Sequence, residues 1–336
     1  MALEILEPGL ATTVQDLGRP GHYALGIPIG GALDRRAAVV ANALVGNEPG
    51  AAVLECTYLG PRFAVTVPAL LAVTGAEVQT RVNDEPQDSW TAIALAPGDV
   101  VSFGLLTAGA RYYLAFSGGI DVPVVLGSRS TYALGRLGGF EHRALRAGDV
   151  VPLGTAVGGE GAGGPEPGVR AGAGATVPPQ LRPRQAAEIE LHVVLGLYDH
   201  RLSEQGRETL LSTDWRLTTL ADRTGMRYAG ATLEWTQRVQ PFGAGSDQSN
   251  IVDAGYPVGS IQVPGGTEPI VLHRDAVSGG GYAMVGTVVS ADLDLLAQAM
   301  PGSIARFRAV ELAEALRLRA AYAAGTRAIV DAIARR

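Results

Sequence analysis

The chain has 336 residues, 47% hydrophobic and 18% charged, with a net charge of −6. That length fits about two domains, and the apolar fraction is enough to bury large cores. A mildly acidic chain with no basic block argues against nucleic acid and against an anionic membrane surface as partners.

Forty-five Gly and 20 Pro, set among short Val/Leu runs, predict a mainly β, turn-rich protein with a few helices. All 27 basic residues are arginine. A Walker phosphate loop needs its lysine, and Schiff bases and covalent biotin or lipoyl groups are carried on a lysine amine. ATP or biotin chemistry would therefore take those parts from another chain. The one cysteine, Cys56, reads as a buried thiol and is consistent with a reducing, cytoplasmic setting. The N-terminus has no basic region followed by a long apolar segment, and no run approaches ~18 apolar residues.

Glu4–Leu6 predicts a first strand, followed by a polar, glycine-rich passage over Thr12–Gly21. Asp34 predicts a helix N-cap, since its carboxylate can accept from the free N–H groups of the first turn. Ala37, Val40, Ala41, Leu44 and Val45 then recur at helical spacing, and Gly46-Asn47 closes the helix. Strands are predicted at Phe63–Val67, Leu70–Thr74, Trp90–Leu95, Val100–Phe103 and Tyr112–Phe116. Two loops of small residues follow, Ser117–Asp121 and Gly127–Thr131, the second supplying hydroxyls and Arg129.

A turn-then-strand pattern recurs. Ala96-Pro97-Gly98-Asp99-Val100-Val101 resembles Arg146-Ala147-Gly148-Asp149-Val150-Val151, and Met300-Pro301-Gly302-Ser303 is a weaker copy. The recurrence predicts similar barrel-like units in both halves. Residues 154–184 are mostly Gly, Ala and Pro, too poor in large apolar groups for a core. The division is thus 1–154 for a first β domain, 155–186 for a linker, 187–309 for a second β domain and 310–336 for a helix. Residues 159–164 match G-x-G-x-x-G formally, but no strand feeds them and Pro165 follows, so no dinucleotide site is indicated. In the second half Ile189–Leu195 and Ala283–Val289 predict strands, and Arg201–Leu211 and Ala291–Ala299 predict helices. The last helix has Leu312, Leu316 and Tyr322 among its apolar positions, to pack on a barrel or a partner chain.

The chemistry concentrates between Ser246 and Tyr282. Two apolar runs, Gly259–Val263 and Pro269–Leu272, each end in residues that a core does not need. The second run leads into His273-Arg274-Asp275 and then Gly279-Gly280-Gly281, where bare backbone would admit a polar small molecule. No serine lies in G-x-S-x-G, and the five histidines form no ligand-spaced pair, so neither a hydrolase elbow nor a metal site is signalled. His192 reads as structural and His273 as the histidine to test. What remains is arginine and carboxylate: Asp222, Arg223, Arg227 and Tyr228 in one group, Asp275 with the glycines in another. Arginine holds carboxylates and phosphates through paired donors; a structural salt-bridge network is the alternative.

Four motifs, Gly9–Asp34, Leu114–Tyr132, Ala221–Tyr228 and Gly259–Gly266, together resemble the allophanate hydrolase subunit 2 family. These are carboxyltransferase-domain proteins, including KipA-like proteins and the C subunit of 5-oxoprolinase. The resemblance runs over nearly the whole chain. It implies two cyclophilin-like β-barrel domains and a KipI-like B subunit; in 5-oxoprolinase, an A subunit of the LamB/YcsF type joins them. It further implies ATP-driven opening of 5-oxoproline to glutamate, with ATP shared with or supplied through the partner and no biotin on this chain. Its alternatives are carboxyl transfer from carboxybiotin to urea or a related amide, and a non-catalytic regulatory role. On this basis Asp275, Arg223 and Arg227 are catalytic candidates. Asp222, Tyr228, Gln262, Gly280, Gly281, Tyr282, Arg129 and Ser130 are candidates for holding a small polar amide. The family commonly reads D-x-Q-T-T-G-G-Y-P-K; here Val277 stands at the glutamine, Ala283 at the proline and Met284 at the lysine.

Overall fold

A computed structural model describes residues 1–155 and 173–334. The chain divides into two compact units, residues 1–19, 30–185 and 324–336 in the first, and 20–29 and 186–323 in the second.

In the first unit the strands are β1 (Ala2–Glu7), β2 (Thr13–Gln15), β3 (Val53–Thr57), β4 (Arg62–Val65), β5 (Ala69–Val82), β6 (Glu85–Gln87), β7 (Ala92–Leu95), β8 (Val100–Phe116) and β9 (Val150–Pro152). They form one nine-stranded sheet in the order β2-β3-β8-β4-β1-β9, with β5 also on β8 and with β6 and β7 on β5. Val100–Phe103 and Tyr112–Phe116, predicted as two strands, are the ends of the single strand β8. Its middle pairs with β5 through register shifts between Gly75 and Thr80. One face of the sheet buries Leu3, Leu54, Phe63, Leu71, Leu114 and Phe116. Phe63 meets Phe116 edge-on, with ring centroids 5.6 Å apart. Each such side chain contributes roughly 1.5–3 kcal/mol by leaving water.

The helix α1 (Arg35–Leu44) starts where Asp34 accepts from the Ala37 N–H at 2.9 Å. Ala37, Val40, Ala41 and Leu44 are buried in a second core, together with Ile329 and Ile333. Val177 is fully buried in the same core and Leu181 packs against it. Residues 173–185 are therefore part of the first unit, where the composition had predicted linker: one Val and one Leu suffice to anchor a Pro-rich segment. Residues 156–172, with the glycine run 159–164, lie outside the described residues.

The second unit contains β10 (Glu188–Leu195), α2 (Glu204–Ser212), β11 (Trp215–Ala221), β12 (Gly225–Ala229), β13 (Asn250–Gly255), β14 (Ser260–Gln262), β15 (Ile270–Leu272), β16 (Gly279–Tyr282), β17 (Met284–Val288), α3 (Leu293–Gln298) and β18 (Ile304–Ala309). Seven strands close a barrel in the order β10-β17-β14-β15-β12-β11-β18. Closure pairs every strand edge, leaving none open to aggregation. Trp215, Tyr228 and Phe307 are buried together, Tyr228 and Phe307 edge-on at 6.2 Å. The predicted helices at 201–211 and 291–299 are present as the shorter α2 and α3. The last helix, α4 (Leu312–Ala334), exposes Leu312 and Leu316 by 64% and 46%, so these two predicted contact positions are not core.

β13 and β16 form a separate two-stranded ribbon. Gly279–Gly281 lie within β16, none of them at positive φ, so they do not form the open turn that their sequence suggests. A Cβ on Gly279 would come within 2.9 Å of the Ala254 carbonyl oxygen, and one on Gly280 within 3.1 Å of the Tyr256 ring. These glycines serve close approach by the facing strand, and the ladder with Ala254 and Gly255 takes up backbone that was expected to be bare.

The recurrent turn is real in all three places. Gly98, Gly148 and Gly302 have φ of 92°, 87° and 93°. The next side chain closes each turn by accepting an amide: Asp99 from Ala96 at 2.7 Å, Asp149 from Arg146 at 2.7 Å and Ser303 from Met300 at 3.1 Å. Each glycine amide then docks on a strand carbonyl, that of Val65, Ile5 or Leu217.

Candidate active site

At one rim of the barrel, the β11–β12 turn and the segment after β15 are brought together by pairing of Gly225 with Leu272. His273 N–H donates to the Thr224 carbonyl at 2.8 Å and Asp275 N–H to the Arg223 carbonyl at 3.0 Å. That backbone clamp sets two side chains face to face. Arg223 Nε donates to Asp275 Oδ2 at 2.7 Å and Nη2 to Oδ1 at 3.0 Å. The Asp275 side chain is 9% exposed and that of Arg223 18%. A bidentate fork with so little water fixes the guanidinium plane and makes Asp275 its positioner. Asp222 is engaged in the turn itself, its Oδ1 accepting from Thr224 N at 2.7 Å and Gly225 N at 3.2 Å.

Between them, His273 is fully buried. Its Nδ1 lies 2.9 Å from the Arg274 amide, which can only donate, so that nitrogen carries no proton and Nε2 faces the Leu293 carbonyl at 3.3 Å as the donor. It is a sealed structural group rather than a base open to substrate. Arg274 is 6% exposed, and its charge is felt at Tyr23. Burial pushes the Tyr23 phenol up, and the Arg274 charge opposes this. Tyr23 was not singled out in the sequence, and no spacing rule could have paired it with position 274.

Arg227 pairs with Glu268 at 3.0 Å instead of with Asp275, and the two are 33% and 40% exposed. It alternates with Met226 and Tyr228, which are buried. The Tyr228 hydroxyl has no hydrogen-bond partner among the described residues, and burial pushes its pKa well up. Gln262, 9% exposed, likewise has an Oε1 without a partner. Gly280 and Gly281 are in the ribbon described above. The Tyr256 hydroxyl donates to the Tyr282 carbonyl and accepts from its amide, both at 2.7 Å, while Tyr282 is 39% exposed.

Arg129 and Ser130 belong to the first unit, in a loop organised by Asp16. Asp16 accepts from Gly18 N at 2.7 Å, Ser128 Oγ at 2.7 Å and Arg129 N at 2.6 Å, and from the Ser130 hydroxyl. Arg129 Nε donates to Val122 O at 2.9 Å, and Ser130 is fully buried. Both hold this loop in shape; Asp16 lies within the Gly9–Asp34 motif, but its role depends on contacts more than a hundred residues away in the chain.

The two β units, one a closed seven-stranded barrel and the other a nine-stranded sheet, have the architecture of a carboxyltransferase domain. A family model described as carboxyltransferase domain, subdomain A and B, matches residues 25–309, and the chain belongs to that family. It is 32% identical over 340 residues to the urea amidolyase of Lachancea kluyveri, covering 98% of this chain and 18% of that protein. It is also 32% identical over 327 residues to the 5-oxoprolinase C subunit of Escherichia coli (strain K12), covering 94% of each. The crystal structure of K. lactis urea amidolyase matches with a TM-score of 0.89 at 32% identity, over 97% of this chain and 20% of that one. The chain thus spans about a fifth of the amidolyases that it resembles.

Proposed function

We propose that the chain acts as the C subunit of an ATP-dependent 5-oxoprolinase, opening the 5-oxoproline lactam to glutamate together with KipI-like B and LamB/YcsF-type A subunits. The Arg223–Asp275 fork carries this proposal. A guanidinium held flat by a buried carboxylate is preorganised for an oxyanion, and 5-oxoproline has a carboxylate to offer. Arg227, one-third exposed beside Glu268, adds a second positive group on β12, just after the turn that carries Arg223. The unpartnered Gln262 Oε1 would accept from the N–H of the lactam, and the Tyr228 hydroxyl would support the site from within the barrel. Asp222, Gly280, Gly281 and Tyr282, all of the second unit, would shape the backbone around it.

ATP, bound with the partner, would supply the phosphoryl group that activates the lactam carbonyl. The lysine-free sequence supports placing that site on another chain, in a cytoplasmic complex. Similarity to the Escherichia coli 5-oxoprolinase C subunit over 94% of both chains supports the choice of substrate. A second activity, carboxyl transfer from a separately carried biotin to urea or a related amide, is favoured by the 0.89 TM-score to urea amidolyase. Met284 opposes it, since a thioether cannot replace the ammonium that the family pattern places there.

The test is reconstitution of this chain with its B and A partners. Phosphate release should require 5-oxoproline and should fall at least a hundredfold with Arg223→Ala. Full turnover by that variant would refute the site, and transfer to urea from carboxybiotin without ATP hydrolysis would establish the second activity instead.

A further inference from the structure

A cleft of about 520 Å³ opens within the first unit, away from the residues discussed above. Its volume falls in the range of small-molecule sites, roughly 300–1,000 Å³. Glu77, Asp88, Trp90, Arg182, Pro183 and Arg184 are among its lining residues. Two positive and two negative side chains thus share one cavity. None of the four takes part in an ion pair among the described residues, so no guanidinium nitrogen reaches either carboxylate within 4.0 Å. The segments that carry the arginines and Trp90 are fastened to each other through the backbone.

The bracing is visible. Trp90 has a φ of 62°, a left-handed backbone that a bulky side chain seldom adopts. In that conformation its carbonyl accepts from Val177 N at 2.9 Å and from Thr176 Oγ1 at 3.1 Å, which fastens the segment carrying the arginines. Arg182 Nε donates to Val177 O at 2.9 Å and Nη2 to Thr176 Oγ1 at 3.3 Å. Pro183 keeps the chain extended, so that Arg182 and Arg184, two residues apart, both line the cleft. Burial pushes the Arg182 pKa down while Asp88 pulls it up, as befits a half-buried cation facing a carboxylate across a gap. On the other wall, Glu77 meets the Thr107 hydroxyl at 3.3 Å.

We propose that this cleft binds a free α-amino acid, its carboxylate on Arg182 and Arg184 and its ammonium on Glu77 and Asp88. A ligand with both charges bridges groups that cannot reach each other; a simple anion would meet the two carboxylates as repulsion.

The full chain, alone in solution, should bind L-glutamate saturably by calorimetry. Glutarate, which has the same carbons and carboxylates but no ammonium, should bind at least tenfold more weakly. Arg184→Gln and Asp88→Asn should each weaken glutamate at least tenfold without moving the melting temperature, because both side chains are exposed and make no hydrogen bond among the described residues. No saturable binding to the wild type, equal affinity for glutarate, or unchanged affinity in either variant would overturn the proposal.

Discussion

Gln262 and Met284 stand directly opposite each other on β14 and β17, and the Gln262 Oε1 has no donor there. A methionine cannot supply one. Leaving a buried polar atom unmet costs about 1–3 kcal/mol, so Gln262 is a poor choice for stability alone. Gln262→Met fills a similar volume and removes the unmet group. It should stabilise the chain by about 1 kcal/mol in urea unfolding while lowering turnover of the reconstituted complex at least tenfold. A destabilised variant, or one with full activity, would show that Gln262 is a packing residue.

The fork between Arg223 and Asp275 should behave as one unit. Asp275→Asn leaves a largely buried guanidinium without its carboxylate and should cost about 3 kcal/mol, as should Arg223→Gln. In a double-mutant cycle the pair should cost less than the sum, with a coupling of about 1–3 kcal/mol. Additive losses would mean that the two groups act independently.

A pH dependence follows from the first unit. Arg143 donates to both oxygens of Asp149, at 2.8 Å and 2.9 Å. These bonds hold the Asp149 carboxyl below its usual range. A carboxyl depressed in the folded state stabilises above its unfolded pKa of about 4, and that stability is lost as pH falls through the folded value. Arg143→Gln should therefore cost about 1–2 kcal/mol at pH 7, moderated by solvent at the 20%-exposed Arg143. The difference from wild type should shrink as the pH is lowered below the unfolded pKa of about 4. Chemical unfolding at a series of pH values measures both, and a difference independent of pH would assign the loss to packing.

Local signals were legible in the sequence and pairings were not. Asp34 and the spacing of Ala37, Val40, Ala41 and Leu44 describe α1 because cap and period act within a few residues. Arg223 and Asp275 were recognisable as chemistry, but their meeting depends on β12 pairing with β15, a contact between distant segments. The middle of β8 carries Gly104, Thr107 and Gly109, small residues that hide a strand held by its partner. Gly279–Gly281 read as a turn because the groups that crowd side chains there, the Ile251 and Ala254 carbonyls and the Tyr256 ring, come from β13 and the residue after it. Val177 is not legible as core because a single anchoring residue in a Pro-rich segment leaves no periodic trace.

The three equivalent turns allow a test of that repeat. At Gly98, Gly148 and Gly302 an added Cβ would meet nothing within 4 Å, so alanine is penalised only by the positive φ. Each substitution should cost about 1–2 kcal/mol, whether an aspartate or a serine closes the turn. Gly259 also has positive φ, at 94°, but its Cβ would lie 2.7 Å from the Val288 carbonyl oxygen. Gly259→Ala must therefore displace barrel backbone and should cost clearly more than the other three. Thermal unfolding of the four single variants makes the comparison. If Gly302→Ala proved as damaging as Gly259→Ala, the third turn would carry a constraint that the other two lack.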